Sequence, residues 1–246
     1  MKTPLLEVRN LSLGFTRQGA ASDSSQVIDA LSAISFQLHA GETLALLGES
    51  GCGKSLTALS LMRLLPEQAR FQSGQVMLGN SEATGRPEDL LRVSEERMRQ
   101  VRGRRMAMIF QEPATSLNPV LRIGAQISEV LRLHRGMPAA ACAQEVLALL
   151  VQVGLPDPDR AAMAFPFELS GGMKQRAMIA MALAGDPDIL LADEPTTALD
   201  VTLQAQILDL MAALQQQRQM GVLLITHDLA VVSARADRVA VMLSLI

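Results

Sequence analysis

Gly48-Glu49-Ser50-Gly51-Cys52-Gly53-Lys54-Ser55 fits the pattern G-x-x-x-x-G-K-[ST], and the residues on either side complete its context. An apolar run at 43–47 precedes it as a buried strand, and residues 55–65 follow as an apolar helix. The glycines let the backbone curl so that its N–H groups face a phosphate chain. Lys54 then reaches the β- and γ-phosphates, and the Ser55 hydroxyl is placed to ligate Mg²⁺. The helix start adds the positive end of its dipole to the same anion. Given ordinary residue frequencies, such a pattern arises by chance in a chain of this length on the order of 1% of the time. A plain glycine-rich turn is therefore the poorer reading, and the loop implies nucleoside triphosphate binding.

Around that loop, 246 residues are enough for one large domain or a core with an inserted subdomain, and a 49% hydrophobic fraction supports a sizeable core. A net charge of −3 gives no electrostatic case for a nucleic-acid partner. No charged-then-apolar leader opens the sequence, so no secretory signal is expected. No run of 18 apolar residues exists, so no spanning helix is expected either. Two cysteines, Cys52 and Cys142, are too few for a disulfide framework and fit a reducing cytosol.

Outward from the loop, residues 5–15 and 27–38 alternate apolar and polar as half-exposed strands do, with a polar loop at 16–26 between them. Residues 75–78 and 106–110 read as short strands, and the charged stretch 80–105 between them as a surface excursion. Helical periodicity runs from 122 to 153 and ends at a Pro/Asp cluster, 156–159. Helices are predicted at 170–184, 201–217 and 229–236, and strands at 188–192, 222–226 and 238–243. Strands alternating with helices indicate a parallel α/β sheet, with an all-helical insert at 112–168.

The apolar strand ending at Ala192 delivers Asp193 and Glu194, where ligands sit in open parallel sheets. An Asp-Glu pair after a strand is ordinarily a solvated turn. About 140 residues after a P-loop, it reads instead as a Walker B pair. Asp193 is then the Mg²⁺ holder and Glu194 the general base for water. Leu169-Ser170-Gly171-Gly172-Met173-Lys174-Gln175 supplies a second helix start. Ser170 is a good N-cap, and the two glycines allow a ligand to approach the backbone closely. One site does not easily use two such helix starts, so the second is read as serving a partner's nucleotide.

With these residues the chain resembles an ABC-transporter ATPase subunit, whose signature is Leu-Ser-Gly-Gly-Gln; Met173 stands at the last position. Met173 with Lys174-Gln175-Arg176, Gln111-Glu112-Pro113, Ser116-Leu117-Asn118-Pro119, and the run from Asp193 through Thr202 resemble the ATPases of oligopeptide, dipeptide and nickel importers. The resemblance covers residues 5–242, with Phe167 where a His is common in those relatives. It implies a P-loop NTPase (RecA-like) core at 1–111 and 169–246, with an N-terminal antiparallel β subdomain and a helical signature subdomain at 112–168. The implied nucleotide-binding residues are Phe15, Gly48, Glu49, Ser50, Gly51, Cys52, Gly53, Lys54, Ser55 and Leu56. Phe15 would stack on adenine; a strand core residue is the alternative. Ser170, Gly171, Gly172 and Met173 would act on a partner's nucleotide, and Asp200 would be the D-loop bridging two sites. Gln111, Glu194 and His227 would be catalytic, and Ser55, Gln111 and Asp193 would face the metal. His39 and His134 have no such context and read as structural or surface residues.

The resemblance further implies ATP and Mg²⁺ as ligands, closure of a homo- or heterodimer, transmembrane permease subunits and an extracytoplasmic solute-binding protein. Its place would be the cytoplasmic face of the inner (plasma) membrane, and its cargo peptides. The alternatives are an inactive truncated fragment and a non-transport ATPase of the same family. The 58 residues between Gln111 and Ser170 leave no room for the coiled-coil or zinc insertion of repair types. Family members run on past Met242, so a truncated C-terminus with an apolar, unprotected final strand at 239–246 is expected.

Overall fold

The computed structural model describes residues 3–17, 26–79, 85–197 and 199–243. The chain divides into two compact units: residues 1–98 with 223–246, and residues 99–222.

In the first unit, β1 (Leu6–Arg17) pairs antiparallel with β2 (Gln26–Leu38) on one side and β4 (Ala69–Leu78) on the other. β5 (Glu88–Asp89) closes this four-stranded sheet beyond β4. Leu6, Leu11, Leu13, Leu31, Leu38, Val76 and Leu78 are buried on the packed face of this sheet, and register shifts between Val8 and Gly14 change which positions of β1 reach it. The P-loop strand β3 (Thr43–Gly48) pairs parallel with β9 (Arg238–Met242), Leu46 opposite Ala240 and Gly48 opposite Met242. Residues 223–226 of β8 (Gly221–Thr226) flank β3 on its other side. α1 (Lys54–Leu61) follows β3, and α9 (Leu229–Arg235) joins β8 to β9.

The β3–β9 pair is tied at its start. Asp237 accepts from Thr43 N–H at 2.7 Å, and Arg238 Nη1 donates to Glu42 Oε1 at 2.8 Å. His39 adds its backbone N–H to Glu42 Oε2, with its Nδ1 also 2.8 Å away. Burial pushes the Glu42 carboxyl up, but the hydrogen bonds from His39 and Arg238 outweigh it and hold the group below its usual value. His39 thus has the structural role expected of it.

In the second unit, β6 (Met106–Ile109) pairs parallel with β7 (Ile189–Asp193), and every residue of both strands is buried. Residues 112–168 contain α3 (Pro113–Ser116), α4 (Ile123–Arg135), α5 (Ala139–Gln152), α6 (Pro158–Met163) and a 3-10 turn at Pro166–Glu168, with no strand. α7 (Gly171–Leu183) and α8 (Val201–Arg218) complete the unit. This α/β class, an antiparallel sheet plus parallel strands and a helical insert, is the one the sequence implies.

Four details differ from the sequence reading. Of the predicted excursion at 80–105, residues 80–84 lie outside the described residues, and over 85–105 β5 and α2 (Glu95–Val101) form, with Leu90, Met98 and Val101 fully buried. Three apolar residues spread among charges carry no visible period, yet they are enough to seat the segment. The helical stretch 122–153 is two helices, because Gly136 ends α4 at φ 62 and Pro138 caps α5. α1 ends at Leu61 rather than 65, with Arg63 at φ 51 and Pro66 beyond. β4 starts at Ala69, six residues before the predicted 75. Residues 18–25, most of the predicted polar loop, lie outside the described residues, as do Ala198 and residues 244–246 of the predicted final strand. Within β9, Val239 and Val241 are exposed while Met242 is buried.

Candidate functional site

The P-loop is shaped by three glycines for different reasons. Gly51 and Gly53 sit at φ 86 and 98, a region that L side chains rarely adopt. At Gly48 the limit is space: a Cβ there would lie 2.5 Å from Met242 O and 2.6 Å from Cys52 Sγ. The turn leaves Glu49, Ser50 and Gly51 exposed, with Ser55 and Leu56 half-buried on the first turn of α1.

Lys54 begins α1 and is 6% exposed. Its Nζ donates to Gly48 O and Glu49 O, each at 2.8 Å, and lies 4.0 Å from Cys52 Sγ. No carboxylate among the described residues pairs with it. A buried amine held by two carbonyls and a thiol has no negative partner among these contacts, and burying such a group is costly unless it is paired. The cap of α1 points the same way. Gly53 offers no side-chain oxygen to the first turn of α1, whereas α7, α8 and α9 are capped by their own Ser170, Asp200 and Asp228 side chains. A helix start with a lysine beneath it and no capping oxygen offers donors and positive charge that suit an anion.

The remaining predicted residues of this unit are Phe15 and His227. Phe15 is half-buried near the end of β1, opposite Ile28 and Ala69. His227 is exposed directly after β8, and Asp228 beyond it caps α9 through bonds from Ala230 N–H (2.8 Å) and Val231 N–H (3.4 Å).

In the second unit the strand register brings two predicted residues together. Ile109 of β6 stands opposite Ala192 of β7, and two residues further along each chain come Gln111 and Glu194. Gln111 Nε2 donates to Glu194 Oε2 at 3.2 Å. Thr197 Oγ1 donates to the same oxygen at 2.8 Å, and Thr197 N–H to Glu194 O at 3.1 Å. Glu194 itself sits at φ 45, a left-handed conformation that costs a non-glycine residue roughly 1–2 kcal/mol and persists where surroundings over-determine it. Asp193, the last residue of β7, is buried at 5% exposure. Thr197 went unrecognised in the sequence, because its role is a contact inside the turn rather than a spacing.

At the start of α7, Ser170 Oγ accepts from Met173 N–H at 3.4 Å, so the N-cap reading holds. The two glycines differ. A Cβ on Gly172 would meet Leu203 of α8 at 2.5 Å, whereas one on Gly171 would meet nothing within 4 Å. Glycine at 172 is explained by packing within the chain; packing does not explain it at 171. Met173 is half-buried beside a cavity of about 500 Å³ that Arg160 and Glu168 also line. Asp200 is exposed and caps α8 through Leu203 N–H at 2.9 Å. Phe167, in the usual His position, is 69% exposed and stacks on Phe165 at 5.5 Å.

Comparison with known proteins decides the family: the ABC transporter model matches residues 31–197. The chain belongs to the ABC transporter family. It is 48% identical over 239 residues to the dipeptide transport ATP-binding protein DppD of Bacillus subtilis, covering 97% of this chain and 68% of that one. The oligopeptide transport ATP-binding protein OppD of the same organism is 46% identical, covering 98% of this chain and 64% of its own length. Among solved structures, the ATP-binding cassette MJ0796, a dimer in a post-hydrolysis state bound to ADP and Pi, is 26% identical with a TM-score of 0.80. That match covers 96% of this chain and 94% of the other. Among the described residues no helix is long and apolar enough to cross a membrane.

Proposed function

We propose that this chain is the ATP-binding and hydrolysing subunit of a peptide importer, peripheral to the cytoplasmic face of the membrane that holds its permease partners. The observation that carries the enzymatic half is the Glu194 carboxylate, fixed at the end of β7 by Gln111 and Thr197. The cargo rests on the relatives named for dipeptide and oligopeptide transport.

In this reading the P-loop N–H groups and Lys54 bind the β- and γ-phosphates, and Phe15 stacks on adenine. Glu194 takes the proton of a water molecule as its oxygen attacks the γ-phosphorus. The bond from that phosphorus to the bridging oxygen breaks, releasing ADP and inorganic phosphate. Gln111 orients the water together with Glu194, and His227 donates to the γ-phosphate. The reading requires that the water on Glu194 meet the phosphate on the loop.

Mg²⁺ fits the donor chemistry. Asp193, the Ser55 hydroxyl and the Gln111 amide oxygen are hard ligands of the kind that bind this ion alongside phosphate oxygens and water. When bound it neutralises charge on the phosphates. Residues 170–173 then serve the nucleotide of a second subunit, a role supported by the unfilled space at Gly171. Residues 112–168 are the helical subdomain that meets the permease, and a solute-binding protein delivers cargo from the other side.

The test is to purify the chain with its membrane partners, reconstitute them in vesicles, and follow ATP-dependent uptake of labelled di- and oligopeptides. Uptake that stops when ATP is withheld supports the reading. Permease partners that move another cargo, or no permease partner at all, overturn the peptide assignment.

A further inference from the structure

α7 carries Ser170–Met173 at its start, and its fifth residue, Gln175, is 2% exposed. The Gln175 side-chain amide donates to the carbonyl oxygen of Pro195. A buried side chain on the signature helix therefore grips the Pro195–Thr196 peptide, one peptide beyond Glu194. The next residue, Arg176, faces elsewhere, donating to Val153 O beyond α5 at 2.6 Å and to Gln206 Oε1 of α8 at 3.1 Å.

The turn that Gln175 grips is a strained one. Glu194 is at φ 45, and Thr197 bonds back to it through both its backbone N–H and its hydroxyl. From outside the turn, Gln111 holds the carboxylate and Gln175 holds the backbone one peptide further on. A left-handed residue persists where its surroundings over-determine it, and Gln111 and Gln175 are part of those surroundings. The Gln175 anchor rides on the helix whose first turn carries Gly171, the glycine that packing within the chain does not explain.

We propose that Gln175 is a positioning residue: it transmits the seating of a second subunit's nucleotide phosphate at Ser170–Met173 to the orientation of the Glu194 carboxylate. The inference rests on the reading of Glu194 as the base. Gln175 touches neither nucleotide nor water, and acts through Pro195 and the turn. Its amide hydrogen is the working part. Glutamate of the same size, when ionised, accepts but does not donate, and leucine fills much of the volume without a donor.

The experiment uses the full chain with its membrane partners, as wild type, Gln175→Leu, Gln175→Glu and Glu194→Gln. Steady-state ATPase gives kcat and KM, nucleotide titration gives ATP affinity, and thermal melting gives the folded fraction. Hydrogen exchange is read at residues 171–174 and 194–197, with and without a non-hydrolysable ATP analogue. We expect kcat to fall tenfold or more in both Gln175 variants while KM and affinity stay within twofold. In wild type the analogue slows exchange at both segments; in Gln175→Leu it slows exchange at 171–174 alone.

Wild-type kcat in both Gln175 variants overturns the proposal. So does a loss accounted for by unfolded protein or by an equal rise in KM, or a retained response at 194–197. If Glu194→Gln turns over normally, the reading of the base fails whatever Gln175 does. If only the Gln175 variants turn over normally, the relay alone fails.

Discussion

Replacing Gly171 with aspartate separates what the fold needs from what the reaction needs, because the two effects run in opposite directions. A Cβ at 171 meets nothing within 4 Å, so the larger side chain costs no packing. The position is the first of α7, where a carboxylate is favoured by the helix dipole by about 0.3–1 kcal/mol. For a chain of this size that corresponds to a melting temperature unchanged or raised by about 1–4 °C. Against a phosphate approaching the same helix start, the added charge acts the other way. Two unit charges about 4 Å apart in a partly solvated site repel by about 4 kcal/mol, or roughly three orders of magnitude in occupancy of the closed state. ATPase activity should therefore fall about 10³-fold, while nucleotide affinity at the P-loop of the separate subunit stays within twofold. The assays are thermal melting, nucleotide titration and steady-state phosphate release. Mixing Gly171→Asp with Lys54→Ala should restore part of the activity, since such a mixed dimer keeps one intact pairing of P-loop and signature helix. A Gly171→Asp chain that hydrolyses ATP normally, or melts several degrees lower, refutes the argument that this glycine is kept open for an incoming anion.

Three further outcomes follow from the geometry. Lys54→Ala should lose ATP binding by at least 100-fold in a nucleotide titration, since a charge-assisted contact worth about 3 kcal/mol disappears; retained affinity would count against the loop as the phosphate site. Thr197→Val removes the 2.8 Å bond to Glu194 Oε2, and kcat should drop about tenfold with KM unchanged; a KM effect without a kcat effect would contradict the carboxylate-orienting role. Glu42 has a folded-state pKa below its ordinary 4.5, so its stabilisation is present above that value and is lost as pH falls through the lower folded value. Glu42→Gln should flatten the acid limb of a stability curve below about pH 4.5, and an unchanged limb would remove Glu42 from the account.

The phosphate loop, the carboxylate pair and the signature helix were legible in the sequence because each needs residue types that backbone geometry or charge makes hard to replace. Gly51 and Gly53 are at positive φ and Lys54 is buried, and no other common residues serve there. The Gln111–Glu194 contact was half legible: both residues were named, and the parallel register of β6 and β7 places them side by side. Thr197 and Gln175 were not legible, because a threonine in a turn and a glutamine on a helix have many uses. Only the folded contact to Glu194 or Pro195 selects one. The seating of residues 85–105 was not legible for a similar reason: Leu90, Met98 and Val101 are buried by tertiary packing without any period of their own. The break between α4 and α5 was written in Gly136-Met137-Pro138, punctuation that the apolar periodicity on either side obscured.

Glu194→Gln separates water activation at Glu194 from nucleotide binding at the P-loop. ATP binding by the variant is measured by titration and its turnover by phosphate release, beside the wild-type chain in the same preparation. The expected result is wild-type affinity, hydrolysis reduced at least about 100-fold, and an ATP-dependent dimer that accumulates on size exclusion. Hydrolysis at the wild-type rate, or a wild-type chain that binds ATP and never turns it over, would contradict it.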